Sequence, residues 1–98
     1  MTPPLESKDY SWEFVTADKL VQTGECELIF ARLVPSASTT DSALYDGTSA
    51  SGKLITTLKV AVVTDLEFRP PVPVHCGTGL FVDVGTSVSG VFVIWRKL

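Results

Sequence analysis

The feature that most constrains this chain is its punctuation. Apolar segments of strand length recur from Tyr10 onward, and each is closed by glycine, proline or small polar residues within about a dozen positions. YSWEFVT alternates: Tyr10, Trp12, Phe14 and Thr16 share one face, and Ser11, Glu13 and Val15 the other. Three aromatics on one face require a hydrophobic home. The segment 17–24 reads as a connection with room for one helical turn. ECELIFARLV, residues 25–34, places Cys26, Leu28, Phe30, Arg32 and Val34 on one face and Glu27, Ile29, Ala31 and Leu33 on the other. Both faces are mostly apolar, which predicts a central or doubly covered strand. Pro35 stops it, because proline cannot donate to a ladder.

The small polar run 36–42 predicts a weak strand leading into ALYDG. KLITTLKVAVV, residues 53–63, is rich in the β-branched residues that suit strands. In TDLEFRPP, Leu66 and Phe68 share a face opposite Glu67. Pro70, Pro71 and Pro73 force an extended crossing. The segments 79–85 and 87–97 are joined by a short Gly-Thr-Ser turn and read as a hairpin. The sum is six to eight short strands with no convincing helix. That predicts an all-β, single-domain antiparallel β-sandwich or jelly-roll-like barrel over residues 10–98. Residues 1–9, with Pro3, Pro4 and a polar run, are expected to be a flexible N-terminal arm.

A 98-residue chain is one domain, and so small a domain buries a modest share of its surface. Yet 45% of its residues are hydrophobic and only 19% charged, which leaves apolar area for a neighbouring subunit. The net charge is −3, and the eight Lys and Arg are scattered, so no basic stripe exists for direct nucleic-acid binding. No segment approaches a membrane span. The start of the chain lacks a basic stretch followed by an apolar run, so no signal peptide is expected. In a reducing compartment Cys26 and Cys76 are expected to be free thiols, at least one of them buried.

The stretch ALYDGTSASGKLI, residues 43–55, holds the most chemistry-like spacing. Gly47, Gly52 and Lys53 fit a phosphate loop, but Leu54 replaces the metal-binding hydroxyl and no helix follows. Asp46-Gly47 is turn chemistry, so a bend between strands is expected. His75 and Cys76 are adjacent on an extended chain and point apart, so they make no nucleophile–base pair. The chain's one histidine and two distant cysteines make no zinc set. Asp41, Asp46, Asp65 and Asp83 lack calcium-loop spacing. No serine-hydrolase elbow is present. No catalytic residue, cofactor or metal is expected. The aromatic face of Tyr10, Trp12 and Phe14 is read as core or subunit interface, with a sugar-stacking platform as the rival.

With the strands laid out, the pattern from Cys26 to Trp95 resembles the small β-sandwich proteins encoded among the structural genes of tailed bacteriophages. The matching segments are LYDGTSASG at 44–52, GLFVDVG at 79–85 and the Val-rich strand at 91–95. The resemblance implies a non-enzymatic virion component, assembled in the host cytoplasm, such as a capsid decoration (cement) protein or a tail- or fibre-associated module. It implies partners rather than ligands: the major capsid protein or other virion proteins. Self-association is expected from the apolar excess, with Tyr10, Trp12 and Phe14 as interface residues. The resemblance favours a trimer, since decoration proteins often sit on local threefold axes. A carbohydrate- or protein-binding β-sandwich module is the alternative.

Overall fold

The structure is a computed structural model describing residues 9–98, so all of the expected arm except Asp9 lies outside the described residues. Nine strands follow in chain order: β1 (Ser11–Val15), β2 (Lys19–Thr23), β3 (Cys26–Pro35), β4 (Ser42–Asp46), β5 (Lys53–Leu58), β6 (Leu66–Phe68), β7 (Val74–Cys76), β8 (Gly79–Asp83) and β9 (Val88–Lys97). No α-helix occurs among the described residues. The strands form two antiparallel sheets, which make a β-sandwich. One has the order β1-β9-β3-β6 with β7 also on β3, and the other the order β2-β8-β4-β5.

The chain switches sheets at almost every connection. The β4–β5 hairpin is the one sequence-consecutive pair of strands that bonds directly, among the described residues. This corrects the reading of 79–97 as a hairpin: β8 and β9 lie in different sheets. The reason is a corner with two left-handed residues, Gly85 (φ 71°) and Ser87 (φ 60°). A Cβ at Gly85 would run into the Asp41 carbonyl. Asp18 steadies the corner by accepting a bond from the Val84 amide at 2.9 Å. Glycine and small polar residues serve a hairpin and a corner between sheets equally well.

Five further differences concern strands. The run expected as a weak strand over 36–42 is a series of bends at 36–39, and β4 begins at Ser42. The segment 17–24 carries a strand, β2, held on β8 with a bulge between Leu20 and Gln22. β5 ends at Leu58, and Val62 and Val63 are exposed beyond it. β3 is central, as expected, but a bulge between Leu28 and Phe30 reverses its faces midway. Cys26, Leu28, Ala31 and Leu33 therefore all point into the core, although strict alternation assigned them to opposite faces. Finally, residues 74–76, just beyond the proline crossing, form a short strand, β7. β6 and β7 pair with successive halves of β3. They amount to one edge strand, interrupted where Pro70, Pro71 and Pro73 cannot supply ladder donors.

The core between the sheets is built from Val15, Leu28, Leu33, Leu44, Leu58, Leu80, Val82, Val91, Val93 and Trp95. Its polar members are satisfied. The Trp95 indole N–H donates to Gln22 Oε1 at 3.0 Å, and the Ser42 hydroxyl donates to the Val84 carbonyl. Thr40 Oγ1 accepts from the Val60 amide at 2.9 Å.

Candidate functional site: an exposed aromatic face

β1 lies at the edge of its sheet and pairs with β9 in the register Trp12↔Ile94, Phe14↔Phe92 and Val15↔Val91. β9 turns Val91, Val93 and Trp95 inward, so Phe92 and Ile94 face out. Cross-strand register carries that sidedness to β1. Val15 enters the core at 1% exposure, while Trp12 stays 69% and Phe14 42% exposed. The aromatic face is thus not core: its hydrophobic home, within this domain, is the outer surface of the β1-β9-β3 sheet.

The rings form a row across three strands. Trp12 packs on Phe92 with centroids 5.9 Å apart, and Phe92 meets Phe30 of β3 edge-on at 6.2 Å. The Arg69 guanidinium closes the row 4.9 Å over the Phe30 ring. These are diagonal contacts on one sheet face, of the type that contributes about 0.5–1.5 kcal/mol each beyond burial. Phe14 lies over Gly90, where a Cβ would collide with the ring, so the glycine is what lets the phenyl group lie flat on the sheet. A shallow cleft of about 350 Å³ is lined by Tyr10, Trp12, Phe92 and Ile94. Ion pairs border the row on the β6 side: Arg32–Asp65 at 2.7 Å and Arg69–Glu67 at 2.9 Å. An apolar centre with a charged margin is the usual anatomy of a docking surface. Tyr10, Trp12 and Phe14 are brought together as the sequence suggests. Phe92, Ile94 and Phe30 join them from β9 and β3, and Phe92 and Ile94 could have been found from the alternation of VFVIW alone.

The stretch 43–55 forms the β4–β5 hairpin. Its tip consumes its own polar groups: Gly52 N–H donates to the Ser49 carbonyl at 3.1 Å, Ser51 N–H donates to Ser49 Oγ at 3.2 Å, and the two serine hydroxyls lie 2.7 Å apart. Gly47 and Gly52 face one another so closely that a Cβ on Gly47 would sit 2.8 Å from the Gly52 Cα. The phosphate-loop spacing is therefore that of a pinched hairpin tip.

Asp46 has a role that local turn chemistry did not reveal. Its carboxylate accepts from the amides of Gly77, Thr78 and Gly79 at 3.0, 2.9 and 3.4 Å, fastening the β7–β8 turn to the end of β4. Burial works against its charge, but the three amides outweigh it and hold the carboxyl below its ordinary range. A second cleft of about 240 Å³ beside it gathers Asp46, Lys53, Phe68 and His75. There His75 points outward to Glu25 at 2.8 Å, and Cys76 points into the core, as adjacent strand residues must. Asp83, by contrast, is pushed upward by burial and by the neighbouring Asp18 and Asp41.

Among the described residues no group of His, Cys, Asp and Glu is arranged to hold a metal ion, and no helix is long and apolar enough to cross a membrane. The chain matches no protein-family model, no curated protein and no solved structure.

Proposed function

We propose that this chain is a non-enzymatic structural component of a tailed-bacteriophage virion, a capsid decoration protein that binds and stabilises the head shell. The docking part rests on one observation: an aromatic row on the outer face of a small sandwich, with Trp12 69% exposed at its β1 end. Tryptophan and tyrosine are favoured anchors at protein contacts. β1, which carries Trp12 and Phe14, is also an edge strand, the place where a second chain can add hydrogen bonds. Self-association into a homo-oligomer, a trimer by preference, puts this face at the subunit or capsid contact. The virion assignment itself rests on the resemblance of residues 44–52, 79–85 and 91–95.

The test is co-sedimentation of the purified protein with tailed-phage heads assembled without their own decoration protein, together with the sedimentation coefficient of the free protein. Saturable binding to heads and an oligomer in solution are expected. A strict monomer with no affinity for heads or tails overturns the proposal. The cleft of Tyr10, Trp12, Phe92 and Ile94 favours a second reading, a carbohydrate-binding module whose aromatic rings stack on sugars. Glycan-array binding that is lost in Trp12→Ala, in a protein that ignores phage particles, would put this reading first.

A further inference from the structure

Cys26 and Cys76 stand 50 residues apart in sequence, yet the β3–β7 register sets them directly opposite each other. Both side chains point into the core with 0% exposure, and both thiols are free. Directly opposed residues on antiparallel strands have Cα atoms about 4.5–5.5 Å apart. Disulfides span Cα separations of about 4.4–6.8 Å. We propose that Cys26 and Cys76 form a dithiol–disulfide site, which a small-molecule disulfide such as oxidised glutathione closes without rearranging either strand. The inference does not depend on the virion reading.

The thiolate of one cysteine attacks a glutathione sulfur, and one glutathione thiolate leaves. The second cysteine thiolate then attacks the protein sulfur of that mixed disulfide and expels the second glutathione. The protein loses two protons and two electrons, and both glutathiones leave as thiols. Access comes from β7. It is a three-residue edge strand, held on β3 by the pairs 28/74, 27/75 and 26/76 and cut off from β6 by prolines. Short edge segments of this kind open locally. Burial pushes the Cys76 thiol up to about 12 and raises Cys26 as well, so few thiolates exist at neutral pH and the reaction is slow. Once closed, the bridge ties β7 to β3 and stiffens the turn that Asp46 grips at residues 77–79.

The experiment uses the wild-type protein, purified reduced and then incubated with oxidised glutathione from pH 7 to pH 9. Intact mass, alkylation under denaturing conditions and peptide mapping follow. The expected product is a single chain, free of intermolecular disulfides and lighter by two hydrogens, with a Cys26–Cys76 bridge and an unchanged circular dichroism spectrum. Its formation accelerates with pH. Its thermal midpoint lies above that of the reduced protein by on the order of 10 °C, as closure of a long loop requires. Three results overturn the proposal: both thiols remaining fully alkylatable over the whole pH range, a stable glutathione adduct or intermolecular bridge in place of the internal one, or an oxidised protein that is less stable than the reduced form.

Discussion

Trp12→Ala tests the docking face most directly, because the structure separates its two effects. Trp12 is 69% exposed, so of the roughly 250 Å² that a tryptophan can bury, about 170 Å² is open to a partner. Covering that area at about 25 cal/mol per Å² stabilises a complex by at most about 4 kcal/mol. The alanine that replaces it keeps part of this, and immobilising the indole costs about 0.5–1.5 kcal/mol. About 2–3 kcal/mol of association remains, a loss of roughly 30- to 150-fold in affinity. Within the subunit, the substitution removes only the Phe92 contact at 5.9 Å and the covered remainder of the ring. That costs about 1–2 kcal/mol of folding stability, which a domain stable by about 5–15 kcal/mol survives. Val15→Ala is the mirror experiment. It sits one register step away from Phe14, at 1% exposure, and should cost about 1–3 kcal/mol of folding stability while leaving association intact. Analytical ultracentrifugation measures association, and thermal unfolding followed by circular dichroism measures stability. If Trp12→Ala associates as the wild type does, or if Val15→Ala weakens association as much as it weakens folding, the assignment of the two faces of β1 is wrong.

The other predictions probe single contacts. Gly90→Ala should displace the Phe14 ring that lies over it, lowering stability by about 1 kcal/mol and weakening association without touching Trp12; a change in the Phe14 ring signals by NMR reports the displacement. Asp46→Asn removes charge from an acceptor of three amides and should cost about 1–3 kcal/mol at neutral pH, read by urea unfolding. The folded carboxyl is depressed, so its stabilisation is present above the ordinary carboxylate range and lost as pH falls through the folded value; mutant and wild type should converge in acid. Asp83 has the opposite sign: its raised folded value means the charge opposes folding at neutral pH. Asp83→Asn should therefore stabilise by less than about 1 kcal/mol at pH 7, with the gain vanishing below the ordinary carboxylate range. The native thiols should resist an aromatic disulfide reagent at pH 8 on the timescale of minutes and react fully in denaturant; prompt native reaction would contradict their burial.

Strand identity was largely a property of the sequence. Alternation in YSWEFVT and LEF, β-branched density in KLITTL and the breaks at Pro35 and Pro70 are local signals, and β1, β3, β5, β6, β8 and β9 lie where those signals fall. So does the hairpin at Asp46-Gly47, because turn chemistry acts within a few residues. Placement was not local. Gly-Thr-Ser between β8 and β9 is compatible with a hairpin, and only the two left-handed residues of the folded corner send the chain to the other sheet. The bulge in β3 comes from fitting that strand against β9, and it moves Ala31 and Leu33 onto the same face as Cys26 and Leu28. Asp46 reaches three amides some thirty residues on, and Cys26 meets Cys76 across a ladder that no spacing rule anticipates. The outward direction of Trp12 has the same origin. A period of two tells which side chains share a face, but which face is buried is decided by the partner strand. For β1 that partner is β9, whose Val91, Val93 and Trp95 had already taken the core.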